Sequence, residues 1–226
     1  MLYIIVPYRD RKHNLDQFLD VLPKYLAKQD IQFQIFIIGQ DNDGIFNRGL
    51  LKNIGFDYVY QNYPQDGAYY AFHDVDILPN GSLLSYHDPG NYIVHRYGYD
   101  FCLGCMFLTN ADNFIIANGF PNDYWGYGME DCTLQMRFLH HHIEINRTIF
   151  KERNTSDQVI ELEHHRPDDD IVSDEKNKIL WEQEKNDPTL AKINGLLSLQ
   201  YRVNDVIELT KNIFLVKIDF DLSIDH

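Results

Sequence analysis

The chain has 226 residues, 44% apolar and 24% charged, which is enough for one globular domain with a full hydrophobic core. Its formal net charge of −14 speaks against a nucleic-acid-binding surface, which needs clustered Lys and Arg, and suits a protein that handles neutral ligands or divalent cations. Three cysteines (Cys102, Cys105 and Cys132) cannot all pair, and Cys102-x-x-Cys105 lacks the partners of a zinc site, so they read as reduced thiols of a cytoplasmic protein.

The opening MLYIIVPYRD is too short an apolar run for a membrane span and lacks the basic flank and cleavage site of a signal peptide. LYIIVP (2–7) predicts a strand buried on both faces. A helix is predicted from Asn14, as N-cap, to Lys28, with Leu15, Phe18, Leu19, Leu22 and Leu26 at helical spacing. QFQIFIIGQ (32–40) is the next strand, and FNRGLLKNIGFDYV (46–59) a second helix with Arg48 in its first turn and a stop at Gly55. YYAFHDVDILP (69–79) reads as a third strand ending in acids and a proline. This alternation predicts an α/β domain with a parallel sheet, whose ligands bind beyond the carboxyl ends of the strands. Those ends carry Pro7-Tyr8-Arg9-Asp10-Arg11, Gln40 and Asp74-Val75-Asp76. The second half is more irregular. The triplet at 140–142 reads as a polar helix end, VIELEHH (159–165) as a strand among charged loops, and a helix follows near 175–185. Two closing strands are expected at 196–209 and 212–222. No repeat or Gly/Ser linker divides the chain.

Four stretches carry candidate chemistry. FHDVDILP sets two aspartates at i and i+2, on one face of the expected strand, where paired anions call for a cation such as Mg²⁺ or Mn²⁺; a polar strand terminus is the alternative. VPYRDR and FNRG offer arginines whose donor forks match phosphate oxygens, unless they pair with Asp10 or Asp43. ELEHHRP places His164 and His165 beside Glu161 and Glu163, either completing a metal site or simply exposed. YWGYGMEDC (124–132) alternates glycine with aromatics, which weakens helix and strand alike. It reads as backbone brought close to a flat polar ligand with carboxylates at its edge, or as an aromatic core turn.

In order, VPYRDR, GQDNDGIFNRGLLKNIGF, FHDVDILP, ANGFPNDYWGYGMED, ELEHHR and GLLSLQYRV resemble the β-1,4-galactosyltransferase family (glycosyltransferase family 7). The resemblance implies an α/β GT-A type nucleotide-sugar transferase domain with a mainly parallel central sheet flanked by helices. It divides the single domain (1–226) into a nucleotide-binding half (2–80) and an acceptor and metal half (81–226). The implied reaction is inverting, metal-dependent transfer of galactose from UDP-galactose to a hydroxyl of a saccharide or glycoconjugate acceptor in β linkage. Mn²⁺ is the implied cofactor, with Mg²⁺ as a substitute, and neither nucleic acid nor a membrane span is implied. By the same resemblance Pro7, Tyr8, Arg9 and Arg11 hold the UDP, with Phe46 and Arg48 against the uridine and Asp74, Val75, Cys102 and Gly104 completing the donor site. Tyr127, Gly128, Glu130, Asp131 and Trp181 face the acceptor, Asp131 as catalytic base, and Asp76 and His164 bind the metal with Glu161 as a third ligand.

The chain departs from the family at Cys132, where a third acid is usual, at Gly104-Cys105 in place of Gly-Gly, and at Glu161 in place of a Met ligand. The loop between HDVD and Gly104 is shorter, and the membrane anchor and stem of the animal enzymes are expected to be absent. A Tyr that closes the donor pocket in galactose-specific members is Cys102 here, which implies room for an N-acetyl group unless Tyr99 or Phe101 closes the pocket instead. The rival readings are the same machinery using UDP-N-acetylgalactosamine or UDP-glucose, an inert sugar- or nucleotide-binding module, and a polymerase subunit. The presence of Asp74, Asp76 and Asp131 speaks against the inert module.

Overall fold

The computed structural model describes residues 1–81, 84–153, 157–163 and 170–220. The first strand, β1 (Leu2–Tyr8), sends alternate side chains to opposite faces, Leu2, Ile4 and Val6 into one core and Tyr3 and Ile5 into the other. Helix α1 (Lys12–Ala27) covers the first face with Leu15, Phe18, Leu22, Tyr25 and Leu26. After β2 (Phe33–Gln40), helix α2 (Arg48–Asn62) covers the second with Leu50, Leu51, Ile54 and Val59. Burying each such Leu or Ile is worth about 1.5–3 kcal/mol, which makes a two-faced strand the natural centre of the fold. β1 pairs in parallel with both β2 and β3 (Tyr69–His73).

Three expectations for this half are corrected. The first helix begins at Lys12, and Asn14 is not its cap; Asn14 is buried, and its amide donates to the Glu163 carbonyl at 3.4 Å. The second helix is capped by Asn47, whose side chain accepts from the Leu50 N–H at 2.9 Å, and it runs through Gly55 to Asn62. A Cβ at Gly55 would lie 2.5 Å from Ile5 Cγ2 and 2.7 Å from Ile38 Cγ1, so this glycine lets helix and sheet approach closely and does not end the helix. The third strand stops at His73. Residues 74–76 turn, with the Ile77 N–H donating to the Asp74 carbonyl at 3.2 Å, so Asp74 and Asp76 do not share a strand face.

The chain continues as β4 (Ile77–Pro79), β5 (Ile93–Gly98), β6 (Met106–Thr109), α3 (Ala111–Ile116) and α4 (Glu130–His140), which ends at the histidine triplet as expected. Then follow β7 (Ile145–Asn146), β8 (Lys151–Glu152), β9 (Val159–Glu161), α5 (Asp170–Asn186), β10 (Arg202–Thr210) and β11 (Ile213–Asp219). β9 is shorter than the strand expected at 159–165, whose last residues, His164 and His165, lie outside the described residues. The first closing strand starts at Arg202 because the preceding segment is tied to the Asn118 loop: the Leu196 N–H donates to the Asn118 carbonyl and the Leu197 N–H to its side chain, both at 2.9 Å.

The main sheet runs β10-β11-β2-β1-β3-β6-β5-β7, with β8 also on β5, so it draws on both ends of the chain. Its pairings are parallel except at β10–β11, β3–β6 and β6–β5. β4 and β9 form a separate antiparallel pair. Among the described residues no helix is long and apolar enough to cross a membrane. The carboxyl ends of β1, β2 and β3 open on the same edge as the first turns of α2 and α4, and the cleft lies there.

Candidate active site

A cleft of about 940 Å³ opens at that edge. Pro7, Arg9 and Arg11 line it from the end of β1, Phe46 and Arg48 from the start of α2, and Asp74, Val75 and Asp76 from the turn after β3. Cys102 and Gly104 enter from the β5–β6 loop, and Tyr127, Gly128, Glu130 and Asp131 from the approach to α4. Residues far apart in sequence thus meet in one place. Three expected members stand apart: Tyr8 packs beside the α1 core, and neither Glu161 nor Trp181 is among the lining residues. From α5 it is Asp174 and Lys178 that reach the cleft, while the Trp181 indole lies under the Lys185 ammonium at 4.6 Å.

The wall beside β1 and β2 carries an aromatic ring and two arginines. Gln40 organises it, donating to Asn42 Oδ1 and the Ile45 carbonyl at 3.0 Å and accepting from the Asn47 N–H at 3.0 Å. Arg9 donates to the Gly44 carbonyl, and its guanidinium carbon lies 5.4 Å from the Phe46 ring centroid. Arg11 reaches Asp76 at 3.3 Å.

The opposite wall holds the acids. Glu130 and Asp131 occupy the first turn of α4, where the helix dipole favours negative charge. Gly128 makes the approach possible: its φ is +104°, and a Cβ there would lie 2.5 Å from Asp174 Oδ1. Asn177 of α5 secures the same segment by donating to the carbonyls of Trp125 and Tyr127 at 3.0 and 3.1 Å. The two aromatics divide their work, Trp125 packing on the core beside Phe220 and Tyr127 facing the cleft.

Arg48 joins both groups of acids. Its guanidinium donates to Asp74 Oδ2 at 3.0 Å, to Glu130 Oε1 through Nε at 2.6 Å and also through Nη2, and to Asp131 Oδ2 at 2.8 Å. Beneath them lies Lys52, 1% exposed, with its ammonium 3.1 Å from Asp74 Oδ1 and 3.9 Å from Asp131 Oδ1. Asp131 Oδ1 is buried and accepts no hydrogen bond. Burial pushes Asp131 up to about 7, helped by Glu130 and Asp74 and opposed by Arg48 and Lys52. Burial works on Asp74 too, but Lys52 and Arg48 outweigh it and hold that carboxyl well below the ordinary range. His73 is a structural neighbour, hydrogen-bonded to Tyr86 Oη at 2.8 Å and lowered to about 4 by burial.

The Asp76 turn meets β9 and Leu162. The Leu162 N–H donates to the Asp76 carbonyl at 2.8 Å and Glu161 pairs with Ile77, which brings the chain to the Asp76 turn two residues before His164. Glu161 itself accepts from Tyr97 Oη on Oε1, and on Oε2 it meets Arg153 Nε at 2.8 Å and Nη2 at 2.7 Å. Among the described residues no group of three His, Cys, Asp or Glu stands ready to hold a metal ion. Sequence reading placed Gln40 at this edge but missed Lys52 and Arg153; for Lys52 the available signal was its place one helical turn after Arg48, on the same face.

Comparison with known proteins places the chain in a family. Residues 1–88 match the N-terminal region of glycosyl transferase group 7, and residues 90–165 match a region described as the N-terminal domain of galactosyltransferase. The chain belongs to glycosyltransferase family 7. Among relatives of this family-7 chain, β-1,4-galactosyltransferase 7 of Drosophila melanogaster is 32% identical over 177 residues, covering 74% of this chain and 54% of that protein. β-1,4-Galactosyltransferase 1 of Mus musculus is 30% identical over 212 residues, covering 90% and 51%. The chain therefore spans about half the length of these curated relatives. The solved catalytic domain of Drosophila β1,4-galactosyltransferase 7 in complex with xylobiose superposes with a TM-score of 0.79 at 24% identity, over 97% of this chain and 94% of that one. A mutant of that enzyme in complex with manganese, UDP-Gal and xylobiose gives 0.73 at 23% over the same shares. At these identities the two structures establish the shared fold.

Proposed function

We propose that this family-7 chain is an inverting, metal-dependent galactosyltransferase that moves galactose from UDP-galactose to a hydroxyl of a saccharide acceptor in β linkage. The observation that carries the reading is Asp131: a buried carboxylate at the cleft wall, tethered through Oδ2 to Arg48 and bare at Oδ1. A sugar hydroxyl is a poor nucleophile, and a carboxylate with a proton affinity near neutrality is well matched to accept its proton. As the acceptor oxygen bonds to C1 of the donor sugar, the bond from C1 to the diphosphate oxygen breaks and its electron pair leaves with UDP. The proton passes to Asp131 Oδ1. Attack from the face opposite the leaving group inverts C1. Phe46 offers its ring to the uracil, with Arg9 over it, and Arg11 has donors for the diphosphate. Tyr127 presents an aromatic face to the sugars.

Asp76 and His164 are the residues that would hold Mn²⁺, an oxygen and imidazole set suited to it, with Mg²⁺ as a harder substitute. Glu161 joins them only by leaving Arg153. Bound there, the ion supplies positive charge against the leaving diphosphate. A second donor reading rests on Cys102, a small side chain lining the cleft where a bulkier one would crowd the sugar: UDP-N-acetylgalactosamine or UDP-glucose in the same machinery. The test is UDP release with Mn²⁺ from UDP-galactose, UDP-N-acetylgalactosamine and UDP-glucose across a panel of β-linked mono- and disaccharides. We expect acceptor-dependent release, fastest with UDP-galactose. Absence of such release with every donor and acceptor overturns the reading.

A further inference from the structure

We propose that Lys52 is a positioning residue for the catalytic base, holding Asp131 as a charged acceptor whose Oδ1 stays free of hydrogen bonds. The inference rests on the assignment of Asp131 as base.

Lysine is seldom fully buried without a reason. Lys52 sits on α2 four residues after Arg48, so both cations project from one helix face toward the acids. Its ammonium is fixed by Asp74 Oδ1 at 3.1 Å and lies 5.3 Å from the Phe120 ring centroid. From there it faces Asp131 Oδ1 at 3.9 Å, close enough for strong attraction in a buried site but beyond a hydrogen bond. That separation has a chemical consequence. A donor bonded directly to Oδ1 would occupy the lone pair that must take the substrate's proton. A cation held one step away favours the charged carboxylate without occupying it. Arg48 cannot replace Lys52, because its donors are already shared among Asp74, Glu130 and Asp131 Oδ2. Without Lys52, three carboxylates would face a single cation.

The groups that bear on Asp131 are Arg48 and Lys52 from α2, Asp74 from the turn after β3, Glu130 from α4, and Cys102, hydrogen-bonded to Cys132, and Cys105 from the β5–β6 loop. Of these, Lys52 is the one whose charge can be removed while leaving the Arg48 tether intact. Lys52→Gln keeps an N–H donor for Asp74, and Lys52→Met keeps the stem. An opposite charge at this range moves a carboxyl by about 1–3 pH units.

Two readouts test the proposal. Difference infrared spectroscopy of each protein against its Asp131→Asn counterpart follows ionisation of the Asp131 carboxyl without any turnover. We expect its midpoint to rise by about 1–2 units in Lys52→Gln. In the transfer assay at pH 7 we expect kcat to fall by about 5–50-fold in both variants, in step with the ionised fraction of Asp131. KM for the UDP-sugar should change by less than about twofold, and the rate should recover as the pH is raised. Added to Asp131→Asn, the Lys52 change should cost almost nothing further. A merely structural lysine would lower thermal stability and leave the midpoint and the pH profile in place. An unmoved midpoint in a folded Lys52→Gln protein, or an equal loss in the Asp131→Asn background, overturns the proposal. A moved midpoint in a wild-type protein that transfers no sugar counts instead against the proposed function.

Discussion

Asp131→Asn isolates the proposed base with the least disturbance, because the amide oxygen can still accept from Arg48 where Oδ2 now does at 2.8 Å. What is lost is the ability of the other atom to take a proton. General-base assistance is worth about 10²–10⁴ in rate, so kcat should fall by that factor, or about 3–5.5 kcal/mol of transition-state stabilisation. Binding of UDP should change by less than about twofold, since Asn preserves the tether to Arg48, and Arg9, Arg11 and Phe46 line the cleft from the end of β1 and the start of α2. The wild-type profile carries a second signature. With Asp131 raised to about 7 by burial, the base must lose its proton before it can work. The rate should therefore fall about tenfold per pH unit well below pH 7 and level off above it. In Asp131→Asn this acid limb should vanish from the residual rate. Acceptor-dependent UDP release across pH gives the kinetics, and calorimetry with UDP and Mn²⁺ gives the binding. Near-normal turnover in the variant, or an acid limb that survives it unchanged, would refute the assignment of the base.

Asp76→Ala should raise the Mn²⁺ concentration for half-maximal activity by about 10–100-fold and weaken Mn²⁺ binding to the protein alone, measured by paramagnetic resonance; unchanged binding would remove Asp76 from the metal site. Gly55→Ala should lower stability by about 1–3 kcal/mol in chemical denaturation, because its Cβ would press on Ile5 Cγ2 at 2.5 Å, and a neutral result would mean that the helix can shift at no cost. Cys102→Tyr should raise the preference for UDP-galactose over UDP-N-acetylgalactosamine in kcat/KM by about tenfold, by adding bulk where the thiol now lines the cleft; an unchanged ratio would place the pocket wall at Tyr99 or Phe101.

The fold was legible where burial leaves a periodic trace. The unbroken apolar run of β1 reads as a strand between two cores because it is one, and the spacing of Leu15, Phe18, Leu22 and Leu26 shows the face of α1 that packs. The cleft was legible because parallel strands deliver their ends to one edge, so Arg9, Phe46, Asp74 and Asp76 meet despite their separation. The misreadings have a common cause. Asn14 looks like a cap, Gly55 like a stop and HDVD like a continuing strand when only near neighbours are considered. In the folded chain each answers to a distant partner: Asn14 to the Glu163 carbonyl, Gly55 to Ile5 and Ile38, and Asp74 to Arg48 and Lys52.

The same reasoning explains why two adjacent acids take different parts. Glu130 and Asp131 are chemically alike, and both stand in the first turn of α4. Arg48 distinguishes them. It meets Glu130 Oε1 through both Nε and Nη2, which commits that carboxylate to fixing the guanidinium. Asp131 receives a single Nη2 bond on Oδ2, and its second oxygen is left bare in a buried site. An acid that serves as an anchor commits an oxygen to its partner, as Glu130 Oε1 does to two donors of Arg48, whereas an acid that serves as a base needs one lone pair unspent and enough lost solvation for that lone pair to want a proton near neutrality. A one-atom difference in how the arginine is shared therefore divides the pair into an anchor and a base, although their positions in the sequence are nearly equivalent.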